Sequence, residues 1–434
     1  MSRNRILRAQ ILSCTAKPQG ESGWFYLSDG VIVISNGIIS QVGSFTDLKA
    51  TIPADIPVEH FPDQLIIPGM IDLHVHYPQL EMIGAHGEQL LDWLNRYTFP
   101  TELKYRDKTY ASEKAEWFLE QLLKQGTTTA LVFATSSSES VDAFYEAAYA
   151  RNLRMVTGKV LMDRNAPDQI LDDAQGSYDA SKALIERWQG KGRLGYAITP
   201  RFAPTSTEQQ LELAGDLLKK YPSTYLHTHL AENRAECEWV SELFPAQLSY
   251  LDVYDHFGLV TDRSVFAQGI HLDKQDLERM HQCDATICHC PSSNLFLGSG
   301  LFPLKAIREA GVRVTLGTDV GAGTSLSQFT TQSDAYKVQQ LQGESLGAMD
   351  ALYLATLAGA DALHYQDKIG SIEVGKEADL LRINLNATAI LSERTKQSES
   401  IEDTLFSLMI LGDDRAVAET YILGEPTRKS AITE

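Results

Sequence analysis

His74 and His76 stand one residue apart at the end of an apolar run, Pro68-Gly69-Met70-Ile71-Asp72-Leu73-His74-Val75-His76, that opens on a Pro-Gly turn. Side chains alternate along a strand, which places Asp72, His74 and His76 on one face and Ile71, Leu73 and Val75 on the other. Two imidazoles on one face, separated by about 7 Å of backbone, can lean onto one cation at roughly 2.0 to 2.1 Å per nitrogen. The pair is a candidate metal anchor. Its position at the polar end of an apolar strand favours that reading over a chance His-x-His in a solvated strand.

Such an anchor needs a frame. Beyond His76, short apolar runs alternate with longer helical patterns: Thr127 to Phe133, Arg154 to Val160, Leu194 to Thr199, Thr224 to His229, Ser264 to Gln268, Ala285 to Cys290 and Val312 to Asp319. Stretches of helical spacing such as Ala111 to Lys124, Glu208 to Tyr221 and Lys274 to Cys283 lie between them. With the first strand this gives eight βα units, which close most naturally into an α/β (β/α)8 barrel of the TIM type, with its chemistry at the carboxyl ends of the strands. His74 and His76, Arg201 just past the fourth strand, His229 on the fifth, Gln268 on the sixth and Asp319 on the eighth are then expected around one mouth.

The flanks differ from the barrel, which is expected over residues 67–369. Residues 1–66 carry short β-type pieces such as Gly30 to Ile39, and residues 370–434 resume turn-and-strand character from Gly370 to Leu381. Each flank alone is too short to bury a core, so the two are expected to pair into one small β-sandwich domain.

A chain of 434 residues, 43% hydrophobic, has ample material for a large core. Its net charge of −19 argues against a nucleic-acid surface, which is built on clustered Lys and Arg, and repels acidic substrates at long range. The start, Met1 to Leu7, lacks the apolar core of a signal peptide, and no run of eighteen apolar residues suggests a membrane span. Five scattered cysteines suit reduced thiols in the cytoplasm. Cys288-His289-Cys290 sits in an apolar run without a second pair, so it reads as buried strand cysteines.

Several motifs in order carry a resemblance. They are Pro68 to Gln79; Gly87-Glu88-Gln89-Leu90-Leu91-Asp92-Trp93-Leu94 with Thr98-Phe99-Pro100-Thr101-Glu102; Thr199-Pro200-Arg201-Phe202; His229-Leu230-Ala231-Glu232-Asn233; Cys290 to Leu295; Gly317-Thr318-Asp319; and Leu411-Gly412-Asp413-Asp414-Arg415. Over essentially its whole length the chain resembles the amidohydrolase superfamily and, within it, the guanine deaminases. The resemblance implies one zinc per chain, held by His74, His76, His229 and Asp319; iron or another divalent ion can use the same ligands. Three neutral imidazoles and a carboxylate with one open position agree with a catalytic zinc. His227 shares a strand face with His229 and rivals it on spacing, and the motif match selects His229.

The resemblance further implies deamination of guanine to xanthine and ammonia. It assigns proton shuttling to Glu232 and acceptance of the water proton to Asp319. Gln79, Arg201 and Phe202 match the positions that hold the purine edge and face, and Trp93 lies in a loop resembling the family's substrate lid. A small purine and a homodimer are the implied partners. One position departs: the family's sixth strand ends in a histidine that contacts the metal-bound water or the substrate, and here that position is Gln268. An amide can orient a water and cannot become a cation near neutral pH. Deamination of a pterin, 8-oxoguanine or another aminated ring, or a catalytically impaired scaffold, are the alternatives. Cyclic amidases with two metals need a lysine where this chain has Arg201.

Overall fold

The eight apolar runs form eight parallel strands in consecutive order in the computed structural model, which describes residues 4–86 and 90–428. The strands are Met70–His76, Thr127–Phe133, Arg154–Gly158, Gly195–Pro200, Tyr225–Leu230, Ser264–Gln268, Thr286–His289 and Arg313–Leu316. Parallel neighbours require crossovers, and helices supply them. Lys108–Lys124, for example, starts at Asp107, whose carboxylate accepts from the backbone N–H of Thr109 and Tyr110, and buries Phe118, Leu119 and Leu122. These side chains join the main core between strands and helices, with Val132, Phe144 and Leu184.

The barrel closes between its eighth and first strands. Asp319 N donates to His74 O at 2.8 Å, and His76 N donates to Val320 O at 2.8 Å. Buried Asp72 fastens the same seam: Oδ1 accepts from Thr318 N at 3.0 Å and from His74 N at 3.2 Å, and Oδ2 accepts from the Thr318 hydroxyl at 2.5 Å. The pairing of the first and second strands shifts register between Asp72 and Val75, so strict alternation does not hold across the two histidines. Another apolar cluster joins Ile71, Val156, Ala197 and Val265 to Ala360, Leu363 and Ile369.

Both flanks contribute to one seven-stranded sheet. Val58–Pro68 pairs in parallel with Arg5–Gln19 on one side and antiparallel with Leu380–Asn384 on the other, in a register that sets Leu380 against Pro68 and Arg382 against Ile66. Ser22–Ser35 and Ile38–Ser44 extend the sheet one way; Val417–Ile422 and Glu425–Pro426 extend it the other way. The C-terminal flank also contains the helices Ala389–Lys396 and Ile401–Leu411, where the sequence suggested only turns and strands. Leu405 and Leu408 bury against Leu65, Ile67 and Leu381, so packing of an apolar face decides the helix. Arg154 and Arg193 of the barrel meet Glu377 and Asp379 at the entrance to this flank. Cys288 and Cys290 are buried as expected, and His289 between them stacks on Phe302 at 4.1 Å.

Candidate active site

The carboxyl ends of the first, fifth and eighth strands bring four ligand atoms within 4.8 Å of one another, on His74, His76, His229 and Asp319. His74 Nε2 lies 3.2 Å from His76 Nε2, 3.1 Å from His229 Nε2 and 3.1 Å from Asp319 Oδ1; His76 Nε2 lies 3.2 Å from the same oxygen. A tetrahedron with arms of about 2.0 to 2.1 Å has edges of about 3.3 Å, so the spacing fits one small cation. The far nitrogens are occupied as well. His229 Nδ1 donates to Arg201 O at 2.8 Å, His74 Nδ1 meets His227 Nε2 at 2.8 Å, and His76 Nδ1 lies 3.1 Å from Gln79 Nε2. The Arg201 carbonyl and the His227 ring fix the orientation of His229 and His74 and free their inward nitrogens as lone-pair donors. His227 thus stands behind His74, outside the four-ligand cluster.

The charge states follow from the surroundings. Burial lowers His76 to about 4, and burial with the neighbouring His74 holds His229 and His227 well below the usual imidazole range. The ligand rings of His76 and His229 are therefore neutral, as ligation needs, and so is His227 behind His74. Burial pushes Asp319 up, but His74 and His76 outweigh it and hold the carboxyl well below the ordinary range. Glu232 moves the opposite way: burial, then the charges of Asp319 and Glu236, push it well above the ordinary range. Two carboxyl groups of one site are thereby kept in opposite protonation states, the arrangement that separates an acid from a base.

A pocket opens onto this cluster, and His76, Gln79, Trp93, Arg201, Phe202, His229, Glu232 and Asp319 are all on its wall. Arg201 and Phe202 leave the fourth strand immediately after Pro200. The Arg201 guanidinium is 3% exposed and gripped by Glu102, with Nη1 2.8 Å from Oε2 and Nη2 3.1 Å from Oε1. Removing one partner of such a buried pair costs about 3 to 5 kcal/mol, so the two stand or fall together. Trp93 is 2% exposed, and its Nε1 has no partner among the described residues. Gly87, Glu88 and Gln89, which open the expected lid motif, lie outside the described residues. The motif continues through the Leu90–Trp93 helix and a π-helical turn, Leu94–Thr98, into Phe99–Leu103.

Gln268 is placed differently from the other expected site residues. It is fully buried and does not line the cavity; Nε2 donates to Asp319 Oδ2 at 2.6 Å and Oε1 accepts from Asn294 Nδ2 at 2.5 Å. Its φ of 81°, with those of Asp319 (51°) and Ala231 (47°), puts three non-glycine residues in the left-handed region at strand exits around one site.

The model of the amidohydrolase family matches residues 65–427, which span the barrel and most of the C-terminal flank. The chain belongs to the amidohydrolase family. Among similar amidohydrolases, the guanine deaminase of Escherichia coli is 50% identical over 399 residues, covering 92% of this chain and 91% of the relative. A solved E. coli guanine deaminase superposes with a TM-score of 0.96 at 47% identity, covering 98% of this chain and 100% of the other. A guanine deaminase from C. acetobutylicum, solved with guanine in its active site, gives a TM-score of 0.89 at 30% identity over 98% and 99% of the two chains.

Three buried partners of this amidohydrolase site had no role assigned from sequence: Asp72 at the seam, Glu102 behind Arg201, and Asn294 behind Gln268. Asp72 lies two residues from His74, Glu102 closes the Thr98-Phe99-Pro100-Thr101-Glu102 motif and Asn294 lies within Cys290 to Leu295, so proximity to the motifs was their only signal. Their chemistry depends on partners that are distant in sequence.

Proposed function

We propose that this amidohydrolase carries out the zinc-dependent hydrolytic deamination of guanine to xanthine and ammonia. One observation carries the reading: a single cavity joins the His74, His76, His229 and Asp319 cluster, the proton-holding Glu232, and a wall made by Gln79, Arg201 and Phe202. The similarity to guanine deaminases, one of them holding guanine, supports the choice of ring.

Zinc bound by the three histidines and Asp319 would supply a water acidified toward neutral pH. Asp319, ionised in this setting, accepts the proton that the attacking water gives up. Glu232 carries its proton to the ring nitrogen beside the carbon under attack, takes up the hydroxyl proton as the new carbonyl forms and passes it to the departing amine, and the proton held by Asp319 then restores Glu232; this is the work of a carboxyl whose affinity for protons is raised by burial. Arg201 donates a charge-assisted hydrogen bond to the ring carbonyl oxygen, and Gln79 reads the neighbouring edge. Phe202 and Trp93 offer aromatic surface to the ring faces.

Ammonia release and product spectra across guanine, 8-oxoguanine, a pterin and adenine test the assignment. Xanthine from guanine as the preferred conversion is expected. Efficient turnover of another aminated ring with guanine inert would overturn it.

Zinc is the metal we assign, because a three-imidazole, one-carboxylate set suits it, although iron or another divalent ion can use the same ligands. Residues 67–369 act as the catalytic barrel, with 1–66 and 370–434 as one small β domain whose strand Val58–Pro68 runs two residues past that boundary. No described helix is long and apolar enough to cross a membrane. Five free cysteines support a reducing cytoplasm. The family resemblance supports a homodimer, which light scattering checks.

A further inference from the structure

Glu102 has no part in the chemistry above, yet its carboxylate connects the two side chains proposed to read the purine edge. Its side chain is 1% exposed. It accepts from Arg201 Nη1 on both oxygens, at 3.1 and 2.8 Å, from Arg201 Nη2 at 3.1 Å, and from Gln79 Nε2 at 3.1 Å. Gln79 is held at its other end, where Oε1 accepts from Gly321 N at 3.3 Å. Turning that amide over would set its oxygen against the Glu102 carboxylate and its NH2 against the Gly321 N–H, two repulsive contacts in place of two favourable ones. Glu102 and Gly321 therefore both hold the amide in this orientation.

Resting on the guanine reading, we propose that Glu102 is a positioning residue that sets ring selectivity by aiming Arg201 and Gln79 together. Its charge does two things. It fixes one edge of the guanidinium so that the remainder faces the cavity in a fixed plane. It also cancels the Arg201 charge, so that a neutral ring meets a neutral pair and an anionic ring gains no advantage.

Glu102→Gln keeps the volume and an acceptor oxygen and removes the charge. The expected result is a KM for guanine raised about 10- to 100-fold, with kcat changed far less, metal content unchanged, and tighter inhibition by the more acidic product xanthine. Because Glu102→Ala strands Arg201 and Arg201→Ala strands Glu102, the second measurement compares Arg201→Ala with Arg201→Ala/Glu102→Ala after calorimetry has shown both to be folded. Once Arg201 is absent, removing Glu102 should raise the guanine KM little further. An unchanged KM in Glu102→Gln, penalties that add in the double variant, or a loss confined to metal content would overturn the proposal. Wild-type enzyme inert toward guanine would overturn the functional reading with it; active wild-type enzyme with an indifferent Glu102→Gln overturns the positioning role alone.

Discussion

Gln268 holds Asp319 by the oxygen that the histidines leave free. Asp319 Oδ1 faces His74 and His76, and Oδ2 accepts from Gln268 Nε2 at 2.6 Å, while Asn294 holds the amide from behind. The amide is engaged at both its nitrogen and its oxygen and carries no titratable proton, so it fixes the angle of a ligand and takes no part in proton transfer. An imidazole at this position would add a group with a pKa near 6.5. Gln268→His is expected to raise guanine turnover several-fold and to introduce an ionisation in the pH–rate profile. The left-handed backbone there suits histidine better than most residues. Unchanged or lower turnover in the variant would assign Gln268 to a different specificity.

Glu232→Gln should lower kcat by about 10²- to 10⁴-fold, the usual contribution of one positioned acid–base group. Because burial already favours the uncharged carboxyl, the neutral amide should leave metal content and melting temperature nearly unaltered. Steady-state kinetics beside metal analysis and calorimetry separates the two effects. A matching fall in metal content would relocate the role of Glu232 to ligation.

His74→Ala or Asp319→Ala should leave metal content well below one atom per chain, since either change removes a ligand from the centre of the cluster. Chelation of the native enzyme should abolish activity, with zinc restoring it. Full occupancy and rate in either variant would contradict the ligand assignment.

Glu236 gives a pH dependence of stability. Burial raises its pKa from the usual 4.5 to about 7, against the opposing hydrogen bonds from the Tyr250 hydroxyl and the backbone N–H groups of Asn233 and Glu232. A carboxyl that binds its proton more tightly when folded stabilises the fold fully below about pH 4.5, and that contribution is lost as pH rises to about 7. The loss amounts to about 3 kcal/mol. Denaturant unfolding of Glu236→Gln at pH 5 and pH 8 should show this component missing relative to the native chain. Equal pH dependence in both proteins would place the Glu236 titration elsewhere.

The barrel was legible because buried parallel strands read as short apolar runs, and His74, His76, His229 and Asp319 fall at their polar ends. The supporting residues were harder to read. Glu102 is an ordinary helix carboxylate until the fourth strand delivers Arg201, 99 positions away. Asn294 and Gln268 look like unrelated amides until one caps the other. The helix Ile401–Leu411 was unreadable for a similar reason: its apolar residues suit strand or helix, and contact with the terminal sheet decides.

The seam of the barrel gives the metal site a place in the order of folding. Thr318 and Asp72, which flank the ligands there, are 246 positions apart in sequence, so the last strand must return to the first before the cluster exists. Contacts of such long range form late, because chain entropy opposes them until the intervening units have docked. A nascent or truncated chain lacking the eighth strand has the His74 and His76 pair and no Asp319 to complete it. Tight metal uptake therefore reports ring closure, and time-resolved metal capture during refolding would register its completion.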